Sequence, residues 1–69
     1  MKLTMGEKIS LLRQRAGKNV EEVAVFMKMN VASYKRLEDD FVYPKDEQLT
    51  KLGQLYGLTY EEVVRVGEE

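Results

Sequence analysis

Apolar residues recur at helical spacing along most of this chain. Val20, Val23, Ala24 and Met27 fall at i, i+3, i+4 and i+7, the spacing of one buried helical face. Asn19 stands just before that face and Glu22 three residues after it, a capping box with Asn in the Ser/Thr place, so a helix is predicted over 20–27. After Lys28 and Met29, Asn30 is placed to cap a helix over 31–39 that turns Tyr34 and Leu37 inward. Upstream, Thr4 and Glu7 form a capping box, and Met5, Ile9, Leu12 and Ala16 give an apolar stripe. That predicts a helix over 4–17, closed by Gly17 in a left-handed conformation. Downstream, Phe41 to Lys45 is a connector in which Pro44 ends one element and introduces another. A helix over 46–56 carries Leu49, Leu52, Leu55 and Tyr56 toward the core. Gly53 inside it costs about 1 kcal/mol relative to Ala, unless a neighbour packs closely there. Gly57 is its stop. Thr59 and Glu62 supply a further capping box for a last helix over 60–65 that buries Val63, and Gly67-Glu68-Glu69 is expected to fray. The pattern therefore predicts one compact all-α domain of five short helices over 1–69, with no strand, linker or repeat.

Composition narrows the function classes. At 69 residues the chain lies near the lower limit at which one hydrophobic core folds unaided. It has no cysteine and no histidine, which removes disulfides, thiolate metal sites and the commonest general base. The carboxylates are scattered along helical faces, and no nucleophile–base pair or metal cluster stands out, so no enzyme, metal or small-molecule cofactor is expected. No apolar run approaches the roughly 18 residues of a membrane span, and no signal-peptide pattern opens the chain. A soluble cytoplasmic domain is the expectation. The net charge of −1 is uneven: from Met1 to Arg36 eight Lys/Arg oppose three Glu, giving +5, and from Leu37 to Glu69 three oppose nine Asp/Glu, giving −6. Such asymmetry suits a polyanion at one face and repels it at the other end. Ordinary solvated helix surface accounts for it equally well, and an isoelectric point of about 5.5 argues against strong nonspecific DNA binding.

Two short helices joined by a tight turn over 20–39 form a candidate helix-turn-helix, a motif whose second helix can enter a DNA major groove. On pattern alone other helical hairpins remain open. The order of residues, however, resembles the phage-repressor (Cro/CI, XRE-type) helix-turn-helix family from about Gly6 to Val64. Ile9, Leu12 and Arg13 resemble its first-helix motif, Glu21-Glu22-Val23-Ala24 its E-E-L-A, and Arg36-Leu37-Glu38 its R-I-E. Pro44, Leu49, Leu52, Tyr56-Gly57-Leu58-Thr59 and Glu62-Val63 resemble its closing P…L…I…L-G-V-S…E-L stretch. The resemblance implies a compact five-helix lambda-repressor-like DNA-binding domain, often a homodimer, that binds double-stranded operator DNA and regulates transcription. It also implies a structural ion pair between Arg13 and Glu38.

If the helix over 31–39 enters the major groove, Val31, Ala32, Ser33 and Arg36 face the bases. Arg36 could hold guanine through two hydrogen bonds, Val31 and Ala32 could touch thymine methyls, and Ser33 could bond a base edge or phosphate. Lys18, Asn19 and Lys35 are the candidates for the DNA backbone. A solvated helix face would also explain Lys35 and Arg36.

Several positions depart from the family pattern. Val20 replaces the usual Gln at the start of the second helix. Lys28 replaces the turn glycine, and so takes either a strained left-handed conformation or a different turn. Asp40, preceded by Asp39, replaces the glycine after the third helix, where two acids should repel phosphate. Val20, Val25 and Phe26, with Val31 and Ala32, could form an exposed apolar patch of the kind that marks a protein contact. The alternative for Phe26 is packing beneath a neighbouring loop. Tyr60 and Val64 could supply a homodimer contact. Two functions follow: a DNA-binding regulator acting as a repressor, or an antirepressor- or antitoxin-like module that uses the apolar face to bind a repressor or toxin.

Overall fold

Each helix begins where a side chain takes over a backbone donor that the helix itself leaves unpaired. In a computed structural model that describes residues 2–68, the helices are α1 (Met5–Arg15), α2 (Val20–Met27), α3 (Val31–Glu38), α4 (Asp46–Tyr56) and α5 (Tyr60–Val64). Thr4 Oγ1 accepts from Glu7 N at 3.1 Å while Thr4 N donates to Glu7 Oε1 at 2.8 Å. Asn19 and Glu22 repeat that reciprocal box ahead of α2, and Thr59 and Glu62 ahead of α5. Asn30 Oδ1 accepts from Ser33 N at 2.7 Å, which starts α3. α4 has the opposite half of a box: Lys45 N donates to Gln48 Oε1, but a lysine side chain has no acceptor to return. Such caps each stabilise a helix by about 1 kcal/mol, a large share of what so short a helix can hold.

The chain is all-α, with no strand among the described residues, in agreement with the expectation from periodicity. α1 packs across α3 and α5, α2 lies against α3 and α4, and α4 pairs with α5. Ile9, Val23, Tyr34, Leu49, Leu52 and Val63 are fully enclosed at the centre. Ala16 departs from the pattern. It is the C-cap of α1 and faces solvent, because the helix ends at Arg15 before that position can turn inward.

Two glycines mark close backbone approaches. A Cβ on Gly6 would lie 2.4 Å from Glu38 O and 2.7 Å from Leu37 O, so α1 touches the end of α3 through bare backbone. A Cβ on Gly53 would lie 2.5 Å from Leu58 O, and its carbonyl accepts from Leu58 N at 2.8 Å. A side chain of the neighbouring α5 is close as well, since the same Cβ would lie 3.2 Å from Val63 Cγ2, so both the α4–α5 turn and α5 justify a glycine inside α4. The tail does not fray as expected through Glu68. Val66 is buried, Glu68 N donates to Arg65 O at 2.9 Å, and the buried Lys8 ammonium bonds Glu68 at 2.7 Å as well as the Val64 carbonyl. Glu69 lies outside the described residues.

Helix propensity alone makes Gly6→Ala stabilising by about 1 kcal/mol. The backbone collision reverses the sign, and a loss of about 2 kcal/mol is expected. Lys28 has φ 58° and ψ 40°, so Lys28→Gly is expected to gain about 1 kcal/mol. Urea unfolding of both variants against the parent chain checks the two signs.

Candidate functional site

The segment from α2 to α3 is closed by local hydrogen bonds. Lys28 takes the left-handed conformation that ends α2 and donates its N–H to Ala24 O and Val25 O, and Met29 N donates to Ala24 O at 2.9 Å. Lysine thus does what a glycine does at such a turn, at a cost of about 1–2 kcal/mol. Asn30 then caps α3 directly. Tyr34, Leu37 and Glu38 form the inner face of α3, whereas Val31, Ala32, Lys35 and Arg36 are exposed and Ser33 is half-buried.

The inner face is fixed by a charged clamp. Arg13 grips Glu38 with two hydrogen bonds, Nε to Oε2 at 2.7 Å and Nη2 to Oε1 at 3.1 Å, while its Nη1 donates to Lys18 O at 3.1 Å. Tyr34 OH donates to the same Glu38 Oε2 at 2.5 Å. The side chains are 16% and 3% exposed for Arg13 and Glu38, so the pair is largely out of water. Burial on its own would push the Glu38 carboxyl up, but the bonds from Arg13 and Tyr34 hold it below the usual carboxylate range. The Glu38 hydrogen bond raises the Arg13 guanidinium further, and burial with the Glu38 charge raises the Tyr34 hydroxyl far above its ordinary value. Burial likewise pushes Tyr56 up to about 12, and its hydroxyl is enclosed without a partner among the described residues. The part played by Tyr34 was open to sequence reasoning, since Tyr34 and Glu38 lie four residues apart on one helical face.

A second anchor has no counterpart in the sequence reading. Asp40 has φ 63°, and its carboxylate accepts from Thr4 Oγ1 at 2.6 Å and from Gly6 N at 2.9 Å. Its charge sits at the positive end of α1 rather than standing free beside α3. Asp39 lies 3.6 Å from Lys35 in an exposed pair that contributes little.

Around this frame, Lys18 and Asn19 stand at the α1–α2 junction. Asn19 Oδ1 is committed to Glu22 N, and Glu22 turns its carboxylate back onto Asn19 N, so that helix end already has its anion. Of the expected apolar patch, Val20 is half-buried against the core, Val25 is 76% exposed, and Phe26 is partly covered by Lys51, whose Nζ lies 5.7 Å from the ring centre. Val31 and Ala32 are exposed as well, and a second exposed apolar surface lies in the α3–α4 connector, where Phe41 is 80% and Tyr43 69% exposed. The connector folds back on α3, with Phe41 N and Val42 N both donating to Arg36 O. Tyr60 OH donates to Asp46, and Val64 is half-buried. No helix of the described residues is long and apolar enough to cross a membrane.

A family model described as a helix-turn-helix domain matches residues 4–66, nearly the whole chain. No curated protein and no solved structure matches it significantly.

Arg13→Ala strands the Glu38 carboxylate and is expected to cost about 3 kcal/mol. A carboxylate held below its ordinary value of 4.5 stabilises the fold above that pH and loses the contribution as pH falls through the lowered value. Thermal melts from pH 7 downward should therefore show an acid-induced loss of stability that is smaller in Glu38→Gln than in the parent chain.

Proposed function

We propose that this chain, which belongs to the helix-turn-helix domain family, is a sequence-specific transcriptional regulator of the Cro/CI type that places α3 in the major groove of double-stranded DNA. The observation that carries the reading is the division of α3 into two faces. Its inner face is locked by Arg13, Tyr34 and Glu38, and its outer face presents Val31, Ala32, Ser33 and Arg36. Arg36 is exposed and has no ion-pair partner among the described residues, so both edges of its guanidinium are available to guanine. Val31 and Ala32 meet thymine methyls, and Ser33 meets a base edge or phosphate. Lys35 gives up its weak contact with Asp39 to reach a phosphate. Lys18 and the Asn19 amide nitrogen contact the backbone at the α1–α2 junction, weakly, because Glu22 occupies that helix end.

The protein acts in the cytoplasm as a homodimeric repressor, two copies of α3 reading the half-sites of a symmetric operator. The antirepressor or antitoxin-like reading built on Val20, Val25 and Phe26 has less support, because Val20 joins the core and Lys51 covers part of Phe26.

Selection of binding sites from a pool of random duplexes, followed by titration of the selected site at two salt concentrations, tests this. Expected are an enriched palindrome and an affinity that falls with salt. Arg36→Ala should lose about 1–3 kcal/mol on the selected site and relax preference at one base pair of each half-site. A pool that never enriches, or an Arg36→Ala variant of unchanged affinity, would overturn the assignment.

A further inference from the structure

A cleft of about 220 Å³ opens between α3 and the α3–α4 connector. Buried Leu37 and half-buried Met29 supply its apolar floor, exposed Val42 and Tyr43 line its side, and exposed Arg36 and Lys45 give it a cationic rim. We propose that this cleft takes one aromatic or large aliphatic side chain from an acidic segment of a partner protein, and that partner and DNA exclude one another. The exclusion rests on the reading of α3 given above; the binding of the segment does not.

Size selects the occupant. Pockets for whole small molecules run from about 300 to 1,000 Å³, so this one suits a single side chain rather than a ligand. Its composition is that of a protein-binding hot spot, with Tyr, Met and Arg among its lining residues. Phe41, Val42 and Tyr43 form one run of exposed apolar residues in the connector, rather than apolar residues scattered over the surface. Charge selects the flanks. The two charged side chains of the lining are both cations, and of the acids flanking the connector Asp40 is consumed by Thr4 and Gly6, Asp39 faces Lys35 and Asp46 accepts from Tyr60. Acidic residues on either side of the anchor would therefore meet Arg36 and Lys45.

The cleft is also built before anything binds. Phe41 N and Val42 N are tied to Arg36 O, Pro44 is buried, and Lys45 N is held by Gln48. Little connector freedom remains to be lost on association, which favours binding by a short segment. Arg36 belongs both to this rim and to the proposed base-reading face, so one occupant displaces the other.

The test is a titration of the ¹⁵N-labelled chain, followed by amide shifts, with a short synthetic peptide of alternating Glu and Asp around one central Phe. Expected are shifts confined to the cleft residues. Affinity should be about tenfold or more weaker for the same peptide with Ala in place of Phe, as for loss of one buried aromatic anchor. Val42→Asp, at a half-exposed position, should weaken the Phe peptide to a similar degree with the melting temperature unchanged; should it melt lower, Lys45→Glu replaces it. Equal affinity for the Phe and Ala peptides, shifts elsewhere, or tighter binding of thymidine monophosphate than of the peptide at this cleft would each overturn the proposal. Displacement of the selected duplex by the Phe peptide tests the exclusion. A peptide that binds the cleft without displacing DNA removes the exclusion and leaves the site, whereas a chain that binds the peptide but no duplex removes the regulator reading alone.

Discussion

The Glu38 carboxylate is a charge that the fold takes out of water, and much of the arrangement around α3 exists to make that tolerable. Arg13 meets it with two hydrogen bonds and Tyr34 with a third. Desolvation of both ions offsets most of their attraction, so the pair adds little net stability, whereas loss of either partner leaves a charge stranded. Its effect is geometric. The same guanidinium also takes the Lys18 carbonyl, so one side chain fixes the end of α1, the α1–α2 link and the last turn of α3. Asp40 adds a second pin at the first turn of α1. Between those two pins, Gly6 lets α1 rest on the Glu38 and Leu37 carbonyls with no side chain between them. A helix held in this way can expose a whole face without drifting.

Holding the fold in this manner consumes charge. Of the eight Lys/Arg that make the first half of the sequence basic, Arg13 is spent on Glu38 and Lys8 on Glu68 and the Val64 carbonyl. The basic character available at the surface is therefore smaller than the +5 of that half suggests. The acidic half is reduced in the same way, since Glu38, Asp40 and Glu68 are all engaged in holding α1. Under the proposals above, recognition falls to a few specific groups, Arg36 and Lys45 foremost, rather than to a broad positive field. Long-range attraction to a polyanion should be modest, and contact chemistry decides what binds.

Local features were legible in the sequence because local physics sets them. A cap and its partner three residues on, an apolar stripe, and a left-handed stop at Gly17 each need only neighbouring residues. The helix-turn-helix class came instead from the resemblance of the whole residue order to a family, and Lys28 fitted either of two turns. Features that depend on where another helix arrives were not legible. Asp40 read as a charge repelling phosphate, because nothing in the sequence places the start of α1 beside it. Gly6 carried no signal, since its constraint comes from the α3 carbonyls. The tail read as frayed because its anchor, Lys8, lies 60 residues away in the chain. Ala16 fitted the stripe by spacing alone, yet spacing does not say that the helix stops first. The connector was read as a link broken by Pro44, and its aromatic surface became meaningful only beside the α3 cleft.

The two ends of α3 carry the remaining conflict between local and global preference. Lys28 before it and Asp40 after it are the non-glycine residues with positive φ among the described residues, at 58° and 63°. Each conformation costs about 1 kcal/mol or more for a residue with a Cβ. At Asp40 the cost is offset, because the left-handed bend is what delivers the carboxylate to Thr4 and Gly6. At Lys28 no described side chain meets the ammonium, and the residue is exposed. In a domain of this size, with a margin of roughly 3–10 kcal/mol, that is an appreciable sacrifice for a position where glycine would serve the fold better. Strain of this kind persists where the residue's chemistry matters to something outside the fold. The cation stands at the entrance to α3, two residues before its cap. The fold thus gives up stability beside the outer face of α3, the face proposed above to meet DNA or an acidic partner.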